Sequence, residues 1–155
     1  METRDVYETI KTMGIELPQV SSPAAAYTMS VRSGGTVYLA GHLPRDAGAI
    51  VTGKLGATLS TEEGREAARK IAVDLLATLH AKVGNLNLVK QIVKLTSFVN
   101  SAAGFSEQHL VTNGASELLA KVFGEAGVHA RSAVGVAELP LNACVEIELI
   151  VEIAD

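Results

Sequence analysis

The order of segments along the chain predicts an α+β fold: a mixed β-sheet with two long helices packed on one face, plus a short N-terminal helix. Three observations carry that expectation. Two stretches repeat apolar residues at helical spacing, several shorter runs are β-rich, and the order is two strands, helix, strand, helix, two strands. Helices that follow strands in this way pack on one face of a sheet.

Asp5 to Met13 reads as a short helix stopped by Gly14, followed by an extended linker through Pro18 and Pro23. Tyr27 to Arg32 and Thr36 to Gly41 are β-rich runs separated by Ser33-Gly34-Gly35, a hairpin signal. Asp46 to Gly56, rich in Gly, Ala and Asp, reads as a loop. Ser60 or Thr61 caps the first long helix, with Glu62 and Glu63 in its first turn. Its apolar row is Ala68, Ile71, Ala72, Leu75, Leu76, Leu79 and Val83, and Gly84-Asn85 supplies the stop. Val89 to Val99 is a strand, Asn100 to Gly104 a turn, and about Glu107 to Phe123 the second long helix, ended by Gly124 or Gly127. Arg131 to Glu138 and Cys144 to Ile153 are strands, the last alternating Val145, Ile147, Leu149, Val151, Ile153 against Glu146, Glu148, Ile150, Glu152. We expect residues 1–22 to form an N-terminal extension and 23–155 one domain.

Composition narrows the function. Net charge is −4, the 13 basic residues are interleaved with acids, and aromatic residues are 4% with no Trp. Such a chain offers neither the basic clustering nor the stacking platforms that nucleic acid requires. No apolar run approaches a membrane span, and the charged start lacks an apolar signal core, so a cytoplasmic location is expected. The single Cys144 can form no internal disulfide. Charged residues are only 19% against 48% apolar, a balance that in a small domain points to self-association covering apolar surface.

No familiar cofactor motif is present, and His42, His80, His109 and His129 lack metal-ligand spacing. Neither a cofactor nor a metal is expected. Arg131 stands out because its side of the strand carries the small residues Ala133 and Gly135. A guanidinium in such a recess suits a carboxylate held by two parallel hydrogen bonds, although an ordinary ion pair would leave the same pattern. Glu146, expected on an antiparallel neighbour, could orient or deprotonate a water beside that site; equally, it could belong to the polar face of its strand.

These residues also fit a known pattern. Ala130-Arg131-Ser132-x-Val134, then Ala137-x-Leu139, then Val145-Glu146-Ile147 resembles the C-terminal signature of the RidA/YjgF family of reactive-intermediate deaminases, also labelled endoribonuclease L-PSP. Ala26-Tyr27 with Leu39-Ala40-Gly41-His42-Leu43-Pro44 is similar to the family's N-terminal block, and Val111-Thr112-Asn113 lies where the family carries a helix-borne Asn. The resemblance covers residues 23–153 and implies a chorismate-mutase-like fold, a homotrimer with clefts between subunits, and cofactor-free hydrolysis of 2-imino or 2-amino-enoic acids to 2-oxo acids and ammonia. In these terms Arg131 grips the substrate carboxylate and Glu146 activates water. Tyr27 closes the pocket from the neighbouring subunit, and Gly41, His42, Asn113 and Ala133 line it. Ala133 replaces a frequent Cys, His42 a Gln and His129 a frequent Pro; with the N-terminal extension, these departures resemble a longer subgroup. Two alternatives remain: a non-catalytic trimer that binds small carboxylates such as 2-oxo acids, and a ribonuclease, which the charge pattern disfavours.

Overall fold

The computed structural model describes residues 4–155. Helix α1 spans Val6–Thr12, its first turn capped by the Asp5 side chain, which accepts from the Tyr7 N–H. Strands β1 (Ser30–Ser33) and β2 (Thr36–His42) form the expected hairpin, with Ser33 opposite Thr36 and Gly34 at φ +59°. That left-handed backbone is open to glycine without steric cost. The first strand starts later than expected, since Tyr27, Thr28 and Met29 lie before it. The Asp46 to Gly56 stretch is not all loop: β3 (Arg45–Asp46) and β4 (Ala49–Ile50) close a small hairpin there.

Helix α2 runs Thr61–Val83. Ser60 is the N-cap, in a reciprocal box with Glu63, and Gly84 ends the helix at φ +78°. Each partner in the box satisfies a backbone N–H that the helix cannot reach. Replacing Ser60 with Ala is expected to cost about 1 kcal/mol. In thermal melts this lowers Tm by roughly 2–4 °C, and an unchanged melt would show the box to be idle.

Strand β5 (Val89–Asn100), helix α3 (Gln108–Phe123), strand β6 (Ala130–Val136) and strand β7 (Val145–Ile153) complete the chain. The main sheet has the order β1-β2-β7-β5-β6, with β5 and β6 parallel and every other pair antiparallel. A parallel pair needs a crossover, and α3 supplies it. The two long helices pair with each other and cover one sheet face, as expected. Ile71, Leu75, Leu76, Val111, Leu119 and Val122 there meet Val37, Leu95, Ile147 and Val151, all at most 1% exposed. Each such burial contributes about 1.5–3 kcal/mol. Val6, Ile10 and Ile15 join the same cluster, so the N-terminal helix packs into the main core.

The placement of β7 departs from expectation. It follows β6 in sequence but does not pair with it, because β5 lies between them. The five inward-facing residues of β7, Val145, Ile147, Leu149, Val151 and Ile153, are at most 2% exposed, whereas β6 presents Ala133 and Gly135 on its inner side. A strand with a continuous apolar row gains most from a central position; one with small residues loses least at an edge.

Candidate functional site

Arg131 lies on edge strand β6 opposite Leu95, on the sheet face that carries the helices. Its guanidinium reaches up to α3. Nη1 donates to Asn113 Oδ1 at 2.8 Å and to Ser116 Oγ at 3.1 Å, and Nη2 donates to the His109 carbonyl at 2.9 Å. All three acceptors are neutral, and no described carboxylate lies within ion-pair distance of Arg131. The recess is therefore not closed by an ordinary ion pair within the described chain. Guanidinium has five N–H donors, so one on Nη2 and the one on Nε are not used by these contacts. Partial burial pulls the group below its ordinary pKa without discharging it. A groove of about 330 Å³ opens beside it, lined by Ser116, Ala120, Val128 and His129 among others.

Asn113 thus meets Arg131 directly, while Ala133 lies two residues further along the same side of β6, opposite Ser97. Ser116 was not among the sequence candidates. One helical turn from Asn113 places it on the same face, a signal that becomes useful only once Arg131 is known to point at α3.

Glu146 lies elsewhere. It pairs with Phe98 on β7, between the core residues Val145 and Ile147, and so projects from the face without helices. The expected adjacency of Glu146 to Arg131 within one chain is therefore corrected. They stand two strands apart, about 10 Å, three residues apart along the sheet, about another 10 Å, and on opposite faces. What Glu146 does meet is Gly41. A Cβ at position 41 would sit 2.8 Å from Glu146 Cδ, so only glycine lets the carboxylate lie against this backbone. Burial raises the Glu146 pKa, and neighbouring Glu148 adds to the rise.

Tyr27, 47% exposed, borders a small hollow with Ser21, Met29, Gly41 and Leu141, and its hydroxyl accepts from the Ala24 N–H. His42 lies beside this hollow, but its ring is buried. Nδ1 donates to the Ala40 carbonyl at 2.6 Å, and Nε2 accepts from the Thr78 hydroxyl at 2.7 Å. Burial lowers its pKa, with the Ala40 hydrogen bond opposing the shift. Both ring nitrogens are committed, Nδ1 within β2 itself and Nε2 across to α2. The candidates thus form two clusters, Arg131 with Asn113 and Ala133, and Glu146 with Gly41, which also borders the Tyr27 hollow that His42 helps to line.

Cys144 is fully buried and its thiol is pushed up to about 11, which keeps it protonated and unreactive. Among the described residues no helix is long and apolar enough to cross a membrane.

The fold and these clusters define a class: a small mixed-sheet α+β protein with a neutral-lined arginine recess at one sheet edge. The profile described as Endoribonuclease L-PSP matches residues 18–153. The chain belongs to this family, the RidA/YjgF group that its C-terminal block resembles. Protein TCP17 of Trypanosoma cruzi is 46% identical over 150 residues, spanning 96% of this chain and 94% of the relative. A 2-iminobutanoate/2-iminopropanoate deaminase of Dermatophagoides farinae is 31% identical over 141 residues, spanning 90% and 94% respectively. The crystal structure of the protein Atu1372 from Agrobacterium tumefaciens superposes with a TM-score of 0.87 at 43% identity, covering 96% of this chain and 91% of that one.

Proposed function

We propose that this protein hydrolyses small reactive imines and enamines, converting 2-imino acids to 2-oxo acids and ammonia in clefts built by two copies of the chain. The observation that carries the reading is the Arg131 guanidinium, held in place by three neutral acceptors with no described carboxylate to neutralise it. A half-buried cation so arranged is ready for an acidic ligand. The deaminase relative, alike over nine-tenths of this chain, supports the same chemistry.

In this reading one copy supplies Arg131 and Asn113, with Ala133 backbone lining the floor, and a second copy supplies Glu146, Gly41 and Tyr27. The distance and the opposed faces support a two-copy cleft, since a three- or four-carbon acid cannot touch Arg131 and Glu146 of one chain. Self-association has a ready surface, because Val31, Tyr38 and Val134, each 45–50% exposed, lie on the sheet face that the helices leave open. A closed ring of three is the assembly the family resemblance implies.

The chemistry is light. With the carboxylate on Arg131, Glu146 takes a proton from water as the water oxygen bonds to the imine carbon. The C=N π electrons pass to nitrogen, which takes up a proton. The resulting carbinolamine collapses: the C–N bond breaks, nitrogen leaves as ammonia with a second proton, and loss of the hydroxyl proton forms the 2-oxo group. Positioning and proton transfer contribute here, without any covalent intermediate on the protein.

The test generates imines in situ with an amino-acid oxidase and follows ammonia release. The expected acceleration over buffer is about 10²–10⁴-fold. No acceleration across several imino acids would overturn the deaminase reading, and saturable 2-oxo acid binding without turnover would replace it with a binding protein.

A further inference from the structure

Beside Arg131 lies a second pair of groups that the proposed reaction does not use. His129 lies just before β6, two residues ahead of Arg131, and its Nδ1 lies 2.7 Å from the Gly127 carbonyl. A carbonyl only accepts, so Nδ1 carries the proton, and in the neutral ring Nε2 is left as an acceptor. Nε2 is 2.9 Å from Ser116 Oγ, so the Ser116 hydroxyl donates to it. The oxygen of that hydroxyl then accepts from Arg131 Nη1. Every proton in the series Arg131, Ser116, His129, Gly127 thus has an assigned direction, running from the guanidinium to the backbone carbonyl.

We infer that His129 and Ser116 are positioning residues for the acid dock: His129, as a neutral acceptor, holds the Ser116 hydroxyl in the rotamer that anchors Arg131. A serine within a helix has a competing partner in its own backbone carbonyl one turn back, here that of Thr112. Without an acceptor at position 129, Ser116 swings to that carbonyl and Arg131 loses one of its three anchors. The guanidinium then rotates about its long side chain, and carboxylate binding must first restore its pose. Burial keeps the His129 ring neutral by lowering its pKa, opposed by the Gly127 bond and aided by the nearby Arg131 charge, so the acceptor persists at neutral pH. The pair acts through Arg131 and reaches no substrate atom itself.

The inference rests on the acid-docking reading of Arg131, and its test separates the two. In ¹⁵N NMR of the full-length protein at neutral pH, His129 is expected as the Nδ1–H tautomer. The Nε2–H tautomer would overturn the inference whatever the protein binds. Calorimetry with 2-oxobutanoate is expected to show Kd raised about tenfold by His129→Phe and by Ser116→Ala, with the double variant no weaker than either single one. His129→Gln, whose amide oxygen lies near the position of Nε2, is expected to stay within about twofold of the unmodified protein. In turnover, His129→Phe raises KM and leaves kcat. Wild-type affinity in His129→Phe, or multiplying effects in the double variant, would sink the inference. If the unmodified protein bound no 2-oxo acid while His129 showed the Nδ1–H tautomer, the docking function would fall and the hydrogen-bond order would stand.

Discussion

Arg131→Ala is expected to lower kcat/KM for 2-imino acids by roughly 10²–10³-fold or more and to abolish measurable 2-oxo acid binding. The magnitude follows from two charge-assisted hydrogen bonds to the substrate carboxylate at about 1.5–3 kcal/mol each, with about 1.4 kcal/mol per tenfold in rate. Arg131→Lys retains the charge but not the planar pair of donors, so an intermediate loss of roughly 10- to 100-fold is expected. Lys has only three donors on one nitrogen and cannot both hold Asn113, Ser116 and the His109 carbonyl and present two more to a ligand. Steady-state kinetics on oxidase-generated imines, with calorimetry alongside, checks both variants. Full activity in Arg131→Ala would remove the basis of the proposed function.

Glu146→Gln carries the second large effect, and it falls on the chemical step instead of binding. The amide keeps the shape that packs against Gly41 but cannot accept a proton from water, so kcat is expected to drop about 10²–10⁴-fold while 2-oxo acid affinity holds. The carboxylate works in its ionised form. Because burial, reinforced by Glu148, raises its pKa, activity is lost with falling pH at a value above the ordinary carboxylate range. That acid limb is expected to vanish from the residual rate of Glu146→Gln. The separation of Arg131 from Glu146 adds a sharper consequence. Oligomers reassembled from Arg131→Ala and Glu146→Gln chains contain clefts that take both intact groups from different copies, so mixing restores activity that neither variant has alone. Absence of recovery in demonstrably mixed oligomers would contradict the two-copy cleft.

Much of this architecture was legible along the chain because its signals are local. The apolar row from Ala68 to Val83, the Ser60 cap and the Gly84 stop depend only on helical periodicity and on which backbone groups a helix end leaves unpaired. Gly34-Gly35 between two β-rich runs marks the hairpin on the same local grounds. Arg131 was visible as a guanidinium among small residues, and Asn113 and Glu146 through the family pattern their blocks resemble. The two-residue strands Arg45–Asp46 and Ala49–Ile50 were not visible, because Gly- and Ala-rich sequence carries no alternation long enough to register.

Strand partners are a different kind of information. Whether β7 lies beside β6 or across β5 from it depends on which arrangement buries the most apolar surface once both helices are in place. That comparison involves residues far apart in the chain, such as Val99 with Val145 and Thr36 with Glu152. Chain order alone made β6 and β7 look like a hairpin and placed Glu146 beside Arg131; three-dimensional packing put them on opposite faces. The same holds for Ser116 and His42, whose roles follow from what their side chains meet: Arg131 and His129 for the first, Ala40 and Thr78 for the second. Periodicity and capping act between near neighbours and can be read from residue order, whereas register, facing and hydrogen-bond direction arise only when distant segments compete for the same core and the same donors.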